Sequence, residues 1–241
     1  MNRLTVIQTI IDRGGARTYL EIGVRHGGIL ARLKCRTKIG IDPYLKLSGG
    51  KQFKNFVGII NFKTYRMTSD EFFLKEALEV LGKGIDVAFV DGLHTYGQSL
   101  KDVENCLKYL NEDGVIVMHD CSPLNHASAY PVKESVKEVL ELADKGELPG
   151  WNDTWNGDVW KTLVHTRIVH DDLEVFTLDL DFGLGIISRG KGNGLKSCTV
   201  QDIKQADYSF LERDRVNLLN LKPPKYLYEF LDRKYDHKYM R

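Results

Sequence analysis

Short apolar runs alternate with helical spacings through the first half of the chain. Leu4, Ile7 and Ile11, with Val6 and Ile10 beside them, predict a short amphipathic helix that Gly14-Gly15 ends. Thr18–Ile22 then reads as a strand, residues 29–33 as a short helix, and residues 38–42 as a second strand stopped by Pro43. Asn61–Tyr65 offers a third strand, residues 70–81 a helix and residues 85–91 a fourth strand. Leu100, Val103, Leu107 and Leu110 recur at helical spacing, residues 111–114 read as a turn, and residues 115–118 read as a buried strand ending at His119-Asp120. Strands this short, continuous and β-branched are typical of parallel sheets covered on both faces. Their alternation with helices predicts right-handed βαβ units in one sheet, an α/β fold.

The second half changes character. Residues 122–162 are long and irregular, with Pro123, Pro131 and Pro149 and the tryptophans Trp151, Trp155 and Trp160. Residues 132–143 are the one helix expected there, and an insert of this kind after a sheet strand reads as a lid over a site. Leu173–Leu178 and residues 183–188 are close enough to form a hairpin, which would set an antiparallel strand into the mostly parallel sheet. From Val200 onward the pattern is helical, divided by Pro223-Pro224. The expected organisation is an N-terminal helix (1–16), an α/β domain (17–190) with its insert at 122–162, and a C-terminal helical extension (191–241).

Composition narrows the function classes. A chain of 241 residues, 42% hydrophobic, supports one sizeable core. Its 34 basic and 33 acidic residues leave a net charge of +1, so no bulk field draws it to nucleic acid or a membrane. Cys35, Cys106, Cys121 and Cys198 are scattered, which argues against a disulfide framework or a structural zinc site. The N-terminal apolar run is short, contains Gln8 and ends in charges, and no later segment is apolar enough to span a bilayer. A reducing cytoplasm is the expected location.

The candidate chemistry sits where strands end. Glu21-Ile22-Gly23-Val24-Arg25-His26-Gly27-Gly28 closes the first strand. Gly23 and Gly27 allow a tight turn and a close approach of backbone to ligand. The spacing is not the glycine pattern that seats a pyrophosphate. An acid beside a glycine bend suits a nucleoside with an amino-acid tail. Asp42 ends the second strand about twenty residues on, where a carboxylate can take both ribose hydroxyls. Thr68 or Ser69 would cap the next helix, and Ser69 or Asp70 would face an adenine. Asp91 and His94 follow the fourth strand, and His119 and Asp120 follow the fifth. Neighbouring parallel strands would bring them to one mouth, able to hold a divalent cation and move a proton.

As an ensemble, residues 19–28, 39–43, 87–96 and 114–120 resemble the class I S-adenosylmethionine (SAM) dependent methyltransferases. Phe89-Val90-Asp91-Gly92-Leu93-His94-Thr95-Tyr96, Val117-Met118-His119-Asp120 and Gly157-Asp158-Val159-Trp160-Lys161 resemble the small-molecule branch with macrolide-sugar O-methyltransferases and cephalosporin-hydroxylase-like proteins. The resemblance covers roughly residues 17–190. It implies a Rossmann-like, seven-stranded, mostly parallel sheet with one antiparallel strand. It implies SAM as cofactor, bound by Glu21, Gly23, Gly27, Asp42, Ser69 and Asp91. It further implies Mg²⁺ or another divalent metal on Asp91, His119 and Asp120, with His94 as base. The sequence departs from the branch at His119, where a carboxylate is usual and imidazole better suits transition metals. The expected activity is O-methylation of a small-molecule or sugar hydroxyl. Two other readings remain open at this point: a nicotinamide-dependent oxidoreductase, and a silent methyltransferase-like module that binds a partner through the tail. Nucleic acid is the weaker acceptor, and a homo-oligomer is left open.

Overall fold

The computed structural model describes residues 1–47, 61–132, 135–192 and 194–235. The chain divides into two compact units, one of Met1–Gly92, Lys101–Val117 and Lys225–Arg241, the other of Leu93–Leu100 and Met118–Pro224. Each is built from strands and helices, and the expected α/β architecture holds, with mostly parallel pairing.

In the first unit the strand order is β3-β2-β1-β4-β5, with β1 at Thr18–Ile22, β2 at Thr37–Ile41, β3 at Asn61–Tyr65, β4 at Ile85–Val90 and β5 at Leu110–Met118. β1 pairs in parallel with both β2 and β4, and β2 with β3. Register decides what this edge can do. Ile22 lies opposite Ile41 and opposite Val90. The next residues, Gly23, Asp42 and Asp91, therefore leave the sheet at the same edge, the carboxyl end where open α/β sheets bind ligands. β3 is the outer strand, and its alternating exposure fits an edge.

The Arg3–Gly14 helix buries Val6, Ile7, Ile10 and Ile11, as its spacing predicts, and Gly15 ends it in the left-handed conformation. It packs on the Tyr226–Tyr235 helix, where Arg13 pairs with Asp232 and the Tyr235 hydroxyl donates to the Asp113 carbonyl at 3.1 Å.

The second unit has the order β7-β6-β8, with β6 at Leu173–Leu178, β7 at Leu184–Arg189 and β8 at Leu221–Lys222. The β6–β7 hairpin is antiparallel as expected, while β8 runs parallel to β6. β8 brings the strands to eight among the described residues, one beyond the number implied by resemblance. Two residues are too few to leave an alternating pattern in a sequence.

Local expectations fail at five places, each for a visible reason. Residues 29–33 form turns and not a helix, because the buried Lys38 ammonium takes the carbonyls of Leu30 (2.7 Å) and Leu33 (3.1 Å). Residues 70–81 are two helices, Ser69–Lys75 and Ala77–Leu81, which part at Glu76. Residues 111–114 are extended and not a turn. Asn111 donates to Asp86 at 2.7 Å and packs against Gly84, which holds the chain beside the start of β4. The helix expected over 132–143 is Lys137–Asp144, with the Ser135 hydroxyl accepting from Lys137 N–H just before it. A helix at Trp160–Val169 lies half inside the expected irregular insert and is buried almost all round, so it carries no amphipathic stripe. Trp160 belongs to its core, packed with Val164, Ile203, Leu211 and Leu218.

Candidate active site

The first unit carries the cofactor-side residues. Gly23 has φ +91°, and a Cβ there would lie 1.9 Å from the Asp91 carbonyl oxygen, so only glycine fits this crossing of β1 and β4. Gly27 is also left-handed, at φ +75°, and its amide donates to the Val24 carbonyl at 2.8 Å, closing the bend. Asp42 ties that bend to the sheet edge. One of its oxygens accepts from Arg25 N–H at 2.7 Å and the other from Tyr44 N–H at 2.6 Å. A carboxylate has about four acceptor positions, so each oxygen keeps capacity for a ligand hydroxyl.

Glu21 is 2% exposed and accepts the Tyr19 hydroxyl at 2.7 Å. Burial, reinforced by the negative charge of Asp91, pushes its carboxyl from 4.5 up to about 8, against the opposing pull of the Tyr19 and Leu30 hydrogen bonds. At neutral pH it is mostly protonated. Thr68 caps the Ser69–Lys75 helix through a reciprocal box with Glu71, as expected. Ser69 gives its hydroxyl to Asp102, 2.6 Å away and 1% exposed, a partner that sequence reasoning missed. Asp91 is half-buried, and its amide donates to the Ile22 carbonyl at 2.9 Å.

The second unit gathers His94, His119 and Asp120. Asp120 is left-handed, at φ +60°, and its side chain is the hub. Its Oδ2 lies 3.2 Å from His94 Nε2 and 3.0 Å from His119 Nδ1, and its Oδ1 accepts from Asn156 Nδ2 at 2.6 Å. His119 turns its other nitrogen toward Asp181, at 3.7 Å, and meets Phe182 edge-on. His94 Nδ1 is 3.0 Å from the Trp155 carbonyl, and the two rings lie 5.2 Å apart. A carbonyl only accepts, so Nδ1 donates to Trp155, and Nε2 is the nitrogen that faces Asp120. Asp158 accepts from Tyr96 N–H at 2.6 Å and pairs with Lys161, which secures the chain just past His94. A cleft of about 320 Å³ in the same unit is lined by Ser122, Leu124, Asp179, Leu180, Asp181, Phe182 and Gly183.

Asn156 and Asp181 are the residues here that sequence reading did not single out, and Trp155 was named only as one of the tryptophans of the insert. The one signal near them was the 157–161 motif, which begins one position after Asn156.

Residues 20–121 match a family model described as a methyltransferase domain. The chain is 34% identical over 113 residues to the uncharacterized protein R132 of Acanthamoeba polyphaga mimivirus, and spans about half, 51%, of that relative's length. Among solved structures it is similar to the O-methyltransferase TomG of Streptomyces achromogenes, which is involved in tomaymycin synthesis and was solved with SAM. There the TM-score is 0.51 and the identity 14%, over 78% of this chain and 79% of that one. It is also similar to PaMTH1 of Podospora anserina, a methyltransferase solved with S-adenosylhomocysteine (TM-score 0.48, 19% identity, 78% of this chain and 77% of that one). Residues 20–121 therefore resemble a methyltransferase domain, and the chain shares the class I α/β fold of TomG. No helix among the described residues is long and apolar enough to cross a membrane.

Proposed function

We propose that the protein transfers the methyl group of SAM to a hydroxyl of a small molecule. The observation that carries this reading is the common exit of Gly23, Asp42 and Asp91 at one sheet edge, set by the register of β1, β2 and β4. The matched domain supports the donor, and the O-methyltransferase TomG supports a hydroxyl acceptor.

In this reading the Gly23–Gly27 bend passes the methionine tail, Glu21 and Asp91 support it from beneath, and the open acceptor positions of Asp42 take the ribose hydroxyls. Ser69 acts here through Asp102. Transfer is an in-line displacement. An oxygen lone pair forms the new bond to the methyl carbon, the carbon–sulfur bond breaks, and S-adenosylhomocysteine leaves with that electron pair. The donor is already activated, so alignment supplies much of the acceleration. A neutral hydroxyl is a poor nucleophile and must lose its proton as it attacks. His94 Nε2 and Asp120 are the pair that makes it nucleophilic. The donor set also fits a divalent metal, since Asp120 and the two imidazoles present one carboxylate and ring nitrogens together. Such a metal, when bound, lowers the pKa of a coordinated hydroxyl.

Isothermal titration with SAM on the wild type and on Asp42→Ala tests the cofactor half. The variant is expected to lose at least about tenfold in affinity, a loss of about 1.4 kcal/mol. Equal affinity would sink the assignment. Transfer of labelled methyl to a panel of sugars, glycosides and phenols tests the other half. His94→Ala should keep its SAM affinity and lose turnover.

A further inference from the structure

We infer that the exposed face of the Ser69–Lys75 and Ala77–Leu81 helices is a contact between two copies of this chain, packed antiparallel about a two-fold axis at the level of Ala77. The inference stands apart from the proposed reaction, because association is measured without cofactor or acceptor.

The face is apolar where a solvated helix would be polar. Leu74 is 82% exposed and Leu78 is 81% exposed. They sit four positions apart and are therefore neighbours on one surface. Single exposed leucines are ordinary, but two side by side at this exposure form a patch that gains from being covered. The opposite face is already used. Phe72, Ala77 and Leu81 are buried, the Phe72 ring meets Tyr65 with centroids 4.9 Å apart, and Phe73 stacks on Tyr109 at 6.1 Å. The two helices act as one rod. The Glu76 amide donates to the Phe72 carbonyl at 2.9 Å and the Val80 amide to the Glu76 carbonyl at 3.0 Å, which carries the ladder across the break.

Charge identifies the occupant. Glu71, Lys75, Glu79 and Lys83 are exposed and recur at every fourth position, with alternating sign. At helical spacing the two leucines lie on one flank of the exposed stripe and these charges on the other. A two-fold axis across the rod sets each flank against its own copy. Reversal about residue 77 brings Lys75 opposite the partner's Glu79 and Glu71 opposite the partner's Lys83. Each contact occurs twice, so four pairs of opposite sign meet, and Leu74 falls within one residue of the partner's Leu78. A parallel two-fold pairing would set every charge against its like. Glu71 and Lys75 already approach within one copy, at 3.5 Å. Glu79 and Lys83 have the same spacing, but the helix ends at Leu81 and no ion pair joins them among the described residues. A second copy completes both.

The contact is modest in size. A rise of 1.5 Å per residue gives the rods about 18 Å of shared length over positions 71–83. Interfaces that bury less than about 1,200 Å² are weak or transient. The expected dimer therefore forms at micromolar concentration and dissociates on dilution. Exposed ion pairs contribute little each and are screened by salt, so they set register and orientation while the leucines supply the attraction.

Sedimentation velocity of the full chain across the micromolar range tests the contact. The wild type should show a monomer–dimer equilibrium that depends on concentration, and Leu78→Asp should leave it monomeric. Lys75→Glu sets two like pairs across the axis and should weaken the dimer about tenfold or more. Glu79→Lys should do the same. The double variant Lys75→Glu/Glu79→Lys exchanges the two signs and should return to within about threefold of the wild type. All three positions are exposed, so each variant should keep the wild-type thermal unfolding. If Leu78→Asp is unstable, the charge exchange decides. A chain that stays monomeric at every concentration would overturn the proposal and leave the stripe to a different partner. A dimer indifferent to Lys75→Glu, or a double variant as weak as either single one, would overturn it as well.

Discussion

Replacing Glu21 by glutamine removes one proton-binding group from the interior and leaves its shape nearly unchanged. The carboxyl binds its proton with a value of about 8 in the folded chain against an ordinary 4.5, chiefly because burial disfavours its charge. The folded-state value is the higher one. Stability from this group is therefore fully present at low pH and is lost as pH rises toward 8, because the unfolded chain releases the proton first. The window spans about three and a half pH units, which corresponds to roughly 5 kcal/mol in all and roughly 1.4 kcal/mol per unit. Glutamine cannot ionise, so the difference in unfolding free energy, variant minus wild type, should rise at that slope from about pH 5 to about pH 7.5. The Tyr19 hydroxyl can still donate to the amide oxygen. The Leu30 N–H would then face the new NH₂, a fixed cost that shifts the difference without tilting it. Urea unfolding at four pH values across the window, extrapolated to water, reads the slope directly. Parallel curves for the two proteins would refute a buried, proton-holding Glu21.

Two further substitutions separate architecture from ligand contact. Gly23→Ala forces a methyl group to within 1.9 Å of the Asp91 carbonyl at φ +91°, and should cost roughly 3 kcal/mol or more of stability along with SAM binding. A fully stable variant on thermal unfolding would mean that the two strand ends do not cross as described. Ser69→Ala removes the donor that Asp102 receives at 2.6 Å, and should cost about 1–3 kcal/mol in chemical denaturation while SAM affinity changes less than about threefold. A large loss of SAM affinity at unchanged stability would instead make Ser69 a direct cofactor contact.

What the sequence discloses and what it hides divide along a physical line. The edge formed by Gly23, Asp42 and Asp91 was legible because each residue directly follows a short apolar strand, and parallel pairing brings strand ends together without further information. The Arg3–Gly14 helix was legible because one face is wet. The Trp160–Val169 helix was not, since Trp160, Leu163, Val164, Thr166 and Arg167 are all buried and burial on every side erases the period. Residues 29–33 looked helical because nothing near them announces that Lys38 will cover two of their carbonyls. Asn156 is the sharpest instance. An asparagine in a loop is unremarkable by type, and its meaning depends on Asp120, 36 positions earlier, taking one end of its amide while the other end goes without a partner. Polar groups that act through distant partners leave no periodic trace, because hydrogen bonding is directional and short while sequence spacing records only which face is dry. His94 and Asp120 could thus be named from the strands they follow. The tautomer of His94, on which any mechanism at this pair depends, is set by a main-chain carbonyl that any residue at position 155 would supply.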